Sequence, residues 1–96
     1  MTESNIDFLV ALEQVIRQRI NDKPEGSYTA KLVAQGDKRV AQKVGEEAIE
    51  LALASAAGDR DEQIDEAADL IYHLIVLLTS KGISLGEVAE ILRQRH

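Results

Sequence analysis

Several residue types and patterns are absent from this 96-residue chain, or nearly so. It has no cysteine, which excludes disulfide bonds, thiolate zinc sites and a cysteine nucleophile. It has a single proline and no alternation of apolar and polar residues long enough to predict a strand. Its longest apolar runs, such as residues 74–78, are far shorter than the roughly 20 residues that span a bilayer. These absences favour a helical protein without a membrane span.

Basic residues are too few to balance the acidic ones, since 11 Lys and Arg face 17 Asp and Glu and the net charge is −6. Nucleic-acid-binding proteins draw affinity from cations that neutralise phosphates, so this charge argues against a nucleic-acid partner. It does not exclude a small phosphate-bearing substrate, because a bound divalent cation reverses the local charge. Residues 1–10 carry acidic side chains and no basic region, which predicts no secretory signal and a cytoplasmic protein.

The length and composition predict one compact all-α domain over residues 1–96. Hydrophobic residues make up 45% of the chain and charged residues 29%, as in ordinary globular domains. A domain of this size has a modest core, because folding buries only about 60–68% of the surface of the unfolded chain. Small helical proteins often reinforce such a core by pairing, so a homodimer is expected.

The first three predicted helices follow from apolar periodicity and from capping residues. The first spans about residues 4–20, and a loop over residues 21–26 follows it. Ser27 is expected to cap a short second helix. Asp37 is expected to cap a third helix, which ends at Gly58.

Two more helices complete the predicted bundle. The fourth begins near residues 59–61 and ends at Gly82, and a capping-box pattern of Ser84 and Glu87 opens the last one, residues 85–95. Apolar residues surround nearly the whole circumference of the fourth helix: Leu70, Ile71, Leu74, Ile75, Val76, Leu77 and Leu78. A helix of this kind lies at the centre of a bundle or is also buried by a second subunit.

Two pairs of acidic residues fall on the third and fourth helices. Glu47 and Glu50 lie about 60° apart on the helical wheel, as do Glu66 and Asp69. Both pairs border the apolar stripe of their helix instead of opposing it. If the two helices pack as an antiparallel hairpin around Gly58, the pairs face each other across the seam.

Four carboxylates in one seam would require a counter-ion. Like charges about 4 Å apart repel by about 4 kcal/mol at an effective dielectric of 20, whereas a surface ion pair returns only about 0–1 kcal/mol. A hard divalent cation offsets that repulsion, and oxygen ligands favour Mg²⁺, with Mn²⁺ as the alternative. Acidic residues on helices commonly lie on solvated faces, so an interpretation without a metal stays open.

Basic residues near the acidic pairs are candidates for binding phosphate. Arg39 and Lys43 precede Glu47 by two turns and one turn on the same side of the third helix, and Lys31 lies before the preceding turn. Placing such cations on phosphates next to a metal is a common arrangement in phosphoryl chemistry. The alternative is an ordinary helix salt bridge between Lys43 and Glu47.

Three other polar residues each have two interpretations. His73 follows Asp69 by one helical turn, where it would either support the acidic cluster or form hydrogen bonds in the core. Tyr28 and Thr29 open the second helix, where they would either line a pocket or only help to cap the helix.

The acidic pattern resembles the signature of a known superfamily. Glu46-Glu47-x-x-Glu50, followed after fifteen residues by Glu66-x-x-Asp69, resembles the MazG-like all-α nucleoside-triphosphate pyrophosphatases. Three segments narrow the resemblance to the phosphoribosyl-ATP pyrophosphohydrolases: Ser-Tyr-Thr-Ala-Lys-Leu at residues 27–32, Gln-Lys-Val-Gly-Glu-Glu at 42–47 and Asp-Glu-Ala-Ala-Asp-Leu-Ile-Tyr-His at 65–73. The likeness covers nearly all of residues 27–96.

This resemblance implies a four-helix-type bundle that acts as a cytoplasmic homodimer on a small nucleotide. Water would attack phosphoribosyl-ATP between the α- and β-phosphates and release pyrophosphate, which is the second step of histidine biosynthesis. The implied Mg²⁺ ligands are Glu47, Glu50, Glu66 and Asp69. Glu46 is the implied candidate for orienting or deprotonating the water. The candidates for binding substrate are Tyr28, Lys31, Arg39 and Lys43. The chain is expected to be monofunctional, because it has neither the length nor the cysteines of the cyclohydrolase domain that some relatives carry.

Two alternatives remain at this point. A house-cleaning pyrophosphatase acting on non-standard nucleotides would use the same metal chemistry with a different pocket around Tyr28, Thr29 and Lys31. A non-catalytic helical interaction module would carry the same acidic residues on a solvated face.

Overall fold

The computed structural model describes residues 4–96. Residues 1–3, part of the segment predicted to hold no secretory signal, lie outside the described residues. The described chain forms a 3₁₀ turn and five α-helices and contains no strand, which confirms the all-α prediction. After the 3₁₀ turn at Asn5–Asp7, the helices are α1 (Phe8–Asp22), α2 (Tyr28–Ala34), α3 (Asp37–Ala57), α4 (Arg60–Ser80) and α5 (Leu85–Arg95).

Most helix ends follow the predicted caps. Ser27 Oγ accepts a hydrogen bond from the amide of Ala30, and Ser84 and Glu87 form the complete capping box of α5. The prediction that Asp37 caps α3 is wrong. Gly36 occupies the N-cap without a side-chain hydrogen bond, and Asp37 is the first helical residue, where its carboxylate accepts from Lys81 Nζ at 2.6 Å.

A tight turn joins the two longest helices, α3 and α4, which form the antiparallel hairpin of the fold. Gly58 ends α3 in the left-handed region at φ 92°, a conformation that glycine adopts without steric cost, and its amide donates to Ala54 O. Asp59 then caps the N-terminus of α4, because its Oδ1 accepts from the amides of Asp61 and Glu62 at 2.9 and 3.2 Å. Residues on either side of this turn are thereby placed opposite one another.

The core lies where four helices meet around the C-terminal half of α4. Its fully buried side chains are Ile16 of α1, Leu32 of α2, Val40 of α3, and Ile75 and Val76 of α4. The apolar residues of α4 that were predicted to surround the helix divide between this core and the surface, where Ile71 and Leu74 are partly exposed. In the described residues, no helix combines the length and the apolarity needed to cross a membrane.

A buried carboxylate attaches the last helix to the first. Glu13 of α1 is only 7% exposed, and its Oε2 accepts a hydrogen bond of 2.7 Å from the amide of Leu85, at the start of α5. The first amides of a helix have no partner within the helix, so an acceptor supplied from a neighbouring element satisfies one of them. The sequence pattern did not indicate this role for Glu13.

Candidate functional site

The hairpin places acidic residues at positions that the helix period directs inward. Val40, Glu47 and Ala54 lie seven residues apart on α3, and all three are buried. Glu47 therefore occupies a position where the pattern of α3 otherwise supplies apolar side chains. On α4, a seven-residue step leads from Glu66 to the buried His73. The seam of the hairpin thus holds polar side chains at positions between apolar ones.

Three carboxylates from the two helices meet in this seam. Glu47, Glu66 and Asp69 each offer an oxygen, and the three oxygens lie within 4.8 Å of one another. Glu47 is 5% exposed, and Glu47 Oε2 and Glu66 Oε2 are buried without a hydrogen-bond partner. An unpartnered buried acceptor is costly, and a hard divalent cation with a preference for carboxylate oxygen would satisfy both atoms. The arrangement fits such an ion.

The α3 side of the cluster already has a cation. Lys43 Nζ lies 3.1 Å from Glu47 Oε1 and 3.6 Å from Glu46 Oε1. Burial raises the pKa of Glu47, but the hydrogen bond and charge of Lys43 outweigh it, with further lowering from Glu50 and His73, so the pKa lies below its ordinary value. Conversely, the hydrogen bond to Glu47 holds the pKa of Lys43 above its ordinary value, despite desolvation.

The α4 side lacks such a partner. Among the described residues, no ion pair reaches Glu66 or Asp69. Contact with the Glu50 carboxylate raises the pKa of Glu66 most, desolvation raises it further, and the charges of Glu50, Asp69 and Glu47 add to the effect. Negative charge at Glu66 is therefore disfavoured while no cation lies beside it.

The remaining predicted acids lie at the edge of the cluster. Glu50 is exposed and touches the cluster through its interactions with Glu47 and Glu66. Glu46 is partly exposed, and its Oε2 accepts from Gln42 Nε2 at 2.8 Å and lies 3.8 Å from Arg39 Nη1. The structure thus brings Glu47, Glu66 and Asp69 together and leaves Glu50 and Glu46 beside them.

The predicted substrate-binding residues occupy different surroundings. Lys43 lies against the cluster, and Arg39 lies one turn before it on α3, with Glu46 as its partner. Lys31 is exposed in the last turn of α2, and it forms no ion pair in the described part of the chain. Tyr28 is half exposed at the first position of α2.

An aromatic group next to the cluster was only partly predicted. Tyr28 Oη and His73 Nε2 are 2.9 Å apart, and His73 Nδ1 lies 2.7 Å from the backbone oxygen of Asp69. The Tyr72 and Thr29 hydroxyls form a second hydrogen bond between α4 and α2. The four-residue step from Asp69 to His73 matches a bond between a side chain and the preceding turn, whereas no local pattern indicates the contacts from α4 to α2.

Open space beside the cluster follows the hairpin seam toward its turn. A cleft of about 270 Å³ is bounded by residues of both helices, namely Glu50, Leu53, Ala54, Ala57, Glu62 and Glu66. Of these residues, Glu66 belongs to the acidic cluster and Glu50 lies beside it. A ligand in this cleft would therefore contact the acidic cluster directly.

Sequence similarity to known proteins extends over most of the chain. Residues 9–96 match the sequence model of the family described as phosphoribosyl-ATP pyrophosphohydrolase. The chain is 57% identical over 89 residues to the histidine biosynthesis bifunctional protein HisIE of Photobacterium profundum, which covers 93% of this chain and 43% of the relative. It is 56% identical over 89 residues to HisIE of Escherichia coli, covering 93% of this chain and 44% of that relative.

A third relative extends the match almost to both ends of the chain. HisIE of Vibrio cholerae is 52% identical over 94 residues, covering 98% of this chain and 45% of the relative. The chain thus spans a little under half the length of the curated relatives it matches. Because the family match extends over nearly the whole chain, the chain belongs to the phosphoribosyl-ATP pyrophosphohydrolase family.

Proposed function

We propose that this chain hydrolyses phosphoribosyl-ATP to phosphoribosyl-AMP and pyrophosphate, the second step of histidine biosynthesis. The family membership and the names of the relatives support the assignment. The single structural observation that carries it is the cluster of Glu47, Glu66 and Asp69, which holds two buried carboxylate oxygens without partners. Such a cluster suits a triphosphate substrate, which is normally handled together with a divalent cation.

The residues that would hold the metal, Mg²⁺ or alternatively Mn²⁺, are Glu47, Glu50, Glu66 and Asp69. Oxygen atoms of Glu47, Glu66 and Asp69 lie within 4.8 Å of one another. Glu50, which is exposed and borders the same cleft as Glu66, would complete the set. A bound divalent cation neutralises phosphate charge and lowers the pKa of bound water. The opposing helices therefore supply the oxygen ligands, while the hairpin turn holds them in register.

Basic residues of α2 and α3 would bind the triphosphate. An ammonium group has three donors, and Lys43 directs its donors toward Glu46 and Glu47, leaving one for a phosphate oxygen. Arg39 and Lys31 would add charge further from the metal, and Tyr28 would border the substrate from α2. Glu46, which Gln42 holds by a hydrogen bond, is the candidate for orienting the attacking water.

A homodimer is the proposed assembly. Both hairpin helices leave large apolar side chains exposed at helical spacing, Ile49 and Leu53 on α3 and Ile64 and Ile71 on α4. Exposed apolar surface of this kind on a small domain is typical of an interface. Sedimentation equilibrium of the full chain tests the proposal, and a monomer at micromolar concentration would contradict it. The cytoplasmic location stays a prediction.

A substrate panel tests the proposed activity. Pyrophosphate release is measured with phosphoribosyl-ATP, ATP and several dNTPs, each with Mg²⁺ and with EDTA. We expect Mg²⁺-dependent release from phosphoribosyl-ATP and much weaker activity on ATP. Equal or greater turnover of dNTPs would instead support a house-cleaning pyrophosphatase, and no release from any substrate would support an interaction module. The family match favours neither alternative.

A further inference from the structure

The few aromatic side chains of this protein gather beside the acidic cluster. The chain has two tyrosines, one phenylalanine and no tryptophan. The rings of Tyr28 and Tyr72 each meet the imidazole of His73 edge-on, with centroids 5.8 and 5.1 Å away. His73 Nδ1 lies 2.7 Å from the backbone oxygen of Asp69, a member of the acidic cluster. An aromatic patch of two tyrosines and one histidine therefore begins one helical turn from the proposed metal site.

Tyr28 is the accessible member of this aromatic patch. It is 50% exposed, whereas His73 is 7% exposed. A backbone carbonyl only accepts, so His73 Nδ1 donates to Asp69 O, and Nε2 of the neutral imidazole accepts from the Tyr28 hydroxyl at 2.9 Å. Because the hydroxyl already has this partner, Tyr28 offers a ligand the face of a ring that is held in a fixed orientation. A nucleotide base stacks on such a face whatever groups its edges carry.

An exposed lysine lies one turn beyond Tyr28 on α2. Lys31 follows Tyr28 by three residues, which places the two side chains on neighbouring positions of the helix surface. Lys31 forms no ion pair within residues 4–96. The helix contributes Thr29 and Leu32 to the interior, where both are buried. The exposed side of α2 thus carries an aromatic ring followed by a cation.

The order of these groups in the structure matches the order of the groups in phosphoribosyl-ATP. This molecule has a triphosphate at one end and an adenine in the middle. The adenine carries a second ribose that ends in a phosphate, which ATP lacks. From the acidic cluster, the hydrogen bonds of His73 lead to the Tyr28 ring, and one turn of α2 leads from there to Lys31. With the triphosphate at the cluster, the adenine meets the ring and the second ribose phosphate extends toward the lysine.

We propose that Tyr28 and Lys31 form the subsite that selects phosphoribosyl-ATP over ATP. The tyrosine ring stacks on the adenine, and the lysine ammonium binds the phosphate of the second ribose. This inference rests on the proposed function, and it assigns a phosphate of its own to Lys31, which there only adds charge further from the metal. Lys43 and Arg39, which lie on α3 with the acidic residues, remain for the triphosphate.

Binding of the reaction product tests Lys31 without hydrolysis. Phosphoribosyl-AMP carries the second ribose phosphate and AMP does not, so the ratio of their Kd values in calorimetric titrations with Mg²⁺ measures the contribution of that phosphate. Lys31→Ala should weaken phosphoribosyl-AMP binding about tenfold, in the range of one hydrogen bond to a charged group, and leave AMP binding within about twofold. Lys31→Arg keeps the charge and should retain most of the wild-type ratio.

Arg95→Ala is the matched control for Lys31→Ala. It removes one exposed positive charge from the last turn of α5, away from the aromatic patch, and both nucleotides should bind as they bind wild type. Because Lys31 is exposed, its replacement leaves the interior intact. Equal losses for the two nucleotides in Lys31→Ala, or no loss for either, would overturn the assignment of the second phosphate to Lys31.

Two substitutions of Tyr28 test the stacking contact. Tyr28→Phe keeps the ring and should retain both Kd values within about threefold. Tyr28→Leu removes the ring and should weaken both nucleotides by about fivefold or more, in the range of one base–aromatic stack. Pyrophosphate has no base, so its binding with Mg²⁺ should be the same in both variants and in wild type. Equal affinities of the two variants for AMP, or a loss of pyrophosphate binding as large as the loss of AMP binding, would exclude stacking.

Steady-state kinetics test the same subsite as substrate specificity. In Lys31→Ala the ratio of kcat/KM for phosphoribosyl-ATP to that for ATP should fall about tenfold. The change should appear in KM, because a phosphate remote from the reacting bond is bound equally before and during the reaction. A fall in kcat at unchanged KM would contradict the inference. Wild-type inactivity on every substrate would refute the proposed function, whereas an active wild type with an unchanged ratio in Lys31→Ala and Tyr28→Leu would refute this subsite alone.

Discussion

The acidic stretches of α3 and α4 look alike in sequence but have opposite electrostatics. Glu47 on α3 has the ammonium of Lys43 at 3.1 Å, and its pKa lies below the ordinary value. Glu66 on α4 has carboxylates around it instead, and its pKa lies above the ordinary value. The same residue type thus favours its ionised form on one side of the seam and resists it on the other.

This difference indicates where a bound cation would contribute most. The α3 carboxylate is already compensated, so its gain from a metal is small by comparison. The α4 carboxylates have no ion pair among the described residues and repel one another, so a bound cation would relieve more repulsion there. The comparison predicts opposite changes in stability when no metal is present. Removing a negative charge from α4 should raise the free energy of unfolding, and removing the lysine from α3 should lower it.

The largest expected effect is the loss of activity in Glu66→Gln. This change keeps the shape of the side chain but removes a charge from the cluster. We expect kcat/KM for phosphoribosyl-ATP to fall at least about 100-fold, which corresponds to about 2.7 kcal/mol of transition-state stabilisation. Asp65→Asn, an exposed neighbour on the same helix, is the matched control and should keep wild-type kinetics. Comparable losses in both variants would show that the position of Glu66 has no special role.

The second effect is stabilisation by Mg²⁺. The cation is proposed to bind the folded cluster and would have no comparable site in the unfolded chain, so a concentration 100 times its Kd should add about 2.7 kcal/mol to the free energy of unfolding. For a domain of this size the Tm should rise by about 10 °C or more. Thermal melts with EDTA and with Mg²⁺ at fixed ionic strength measure the shift. Glu66→Gln should lose most of it, and an equal shift in both proteins would disprove the carboxylate cluster as the metal site.

The third effect concerns Lys43→Ala. We expect kcat/KM to fall more than tenfold, or about 1.4 kcal/mol, if Lys43 binds phosphate. A surface pair would change stability by only about 0.5 kcal/mol. The side chains of Lys43 and Glu47 are only 20% and 7% exposed, however, so the loss should be about 1–3 kcal/mol in EDTA. Mg²⁺ should restore part of that loss by replacing the missing positive charge.

Arg93→Ala is the matched control for this variant. Arg93 also forms an ion pair within its helix, with Glu90, but it is highly exposed on α5 and outside the acidic group. We expect no kinetic change and a stability change within about 0.5 kcal/mol. Wild-type kinetics for Lys43→Ala at saturating Mg²⁺, accompanied by a lower Tm, would assign Lys43 a structural role only.

The smallest effect is a pH dependence of the Glu66→Gln melt in EDTA. A carboxyl group whose folded pKa is raised favours folding below its unfolded pKa, about 4.3, and loses that contribution as pH rises through the folded value. Glu66→Gln cannot ionise, so its Tm should exceed that of wild type at neutral pH. The difference should shrink as pH falls toward the ordinary glutamate value. A Tm advantage that stays constant over this range would show that the charge of Glu66 is not its cause.

The helices and the composition of the acidic group were predictable because both depend on local spacing. Helical period, the Ser27 and Ser84 caps and the glycine at residue 58 each act within one or two turns of backbone. The predicted cap was wrong at Asp37. The carboxylate of Asp37 accepts a hydrogen bond from Lys81, 44 residues away, and not from the first amides of its own helix. Local propensity describes which bonds are available nearby, and it does not register a better partner from another helix.

The sequence by itself therefore determined the all-α fold, the caps at Ser27 and Ser84, and the helix face on which each acidic residue lies, since these follow from local contacts and from the period of the α-helix. Only the tertiary structure decided that Glu47 is buried beside Lys43 while Glu50 stays exposed, and that Tyr28 reaches His73 across 45 residues of chain. The physical reason is that burial, pKa and long-range hydrogen bonds depend on which helices pack together. A wheel of one helix contains no information about the charges that the opposite helix brings into the seam.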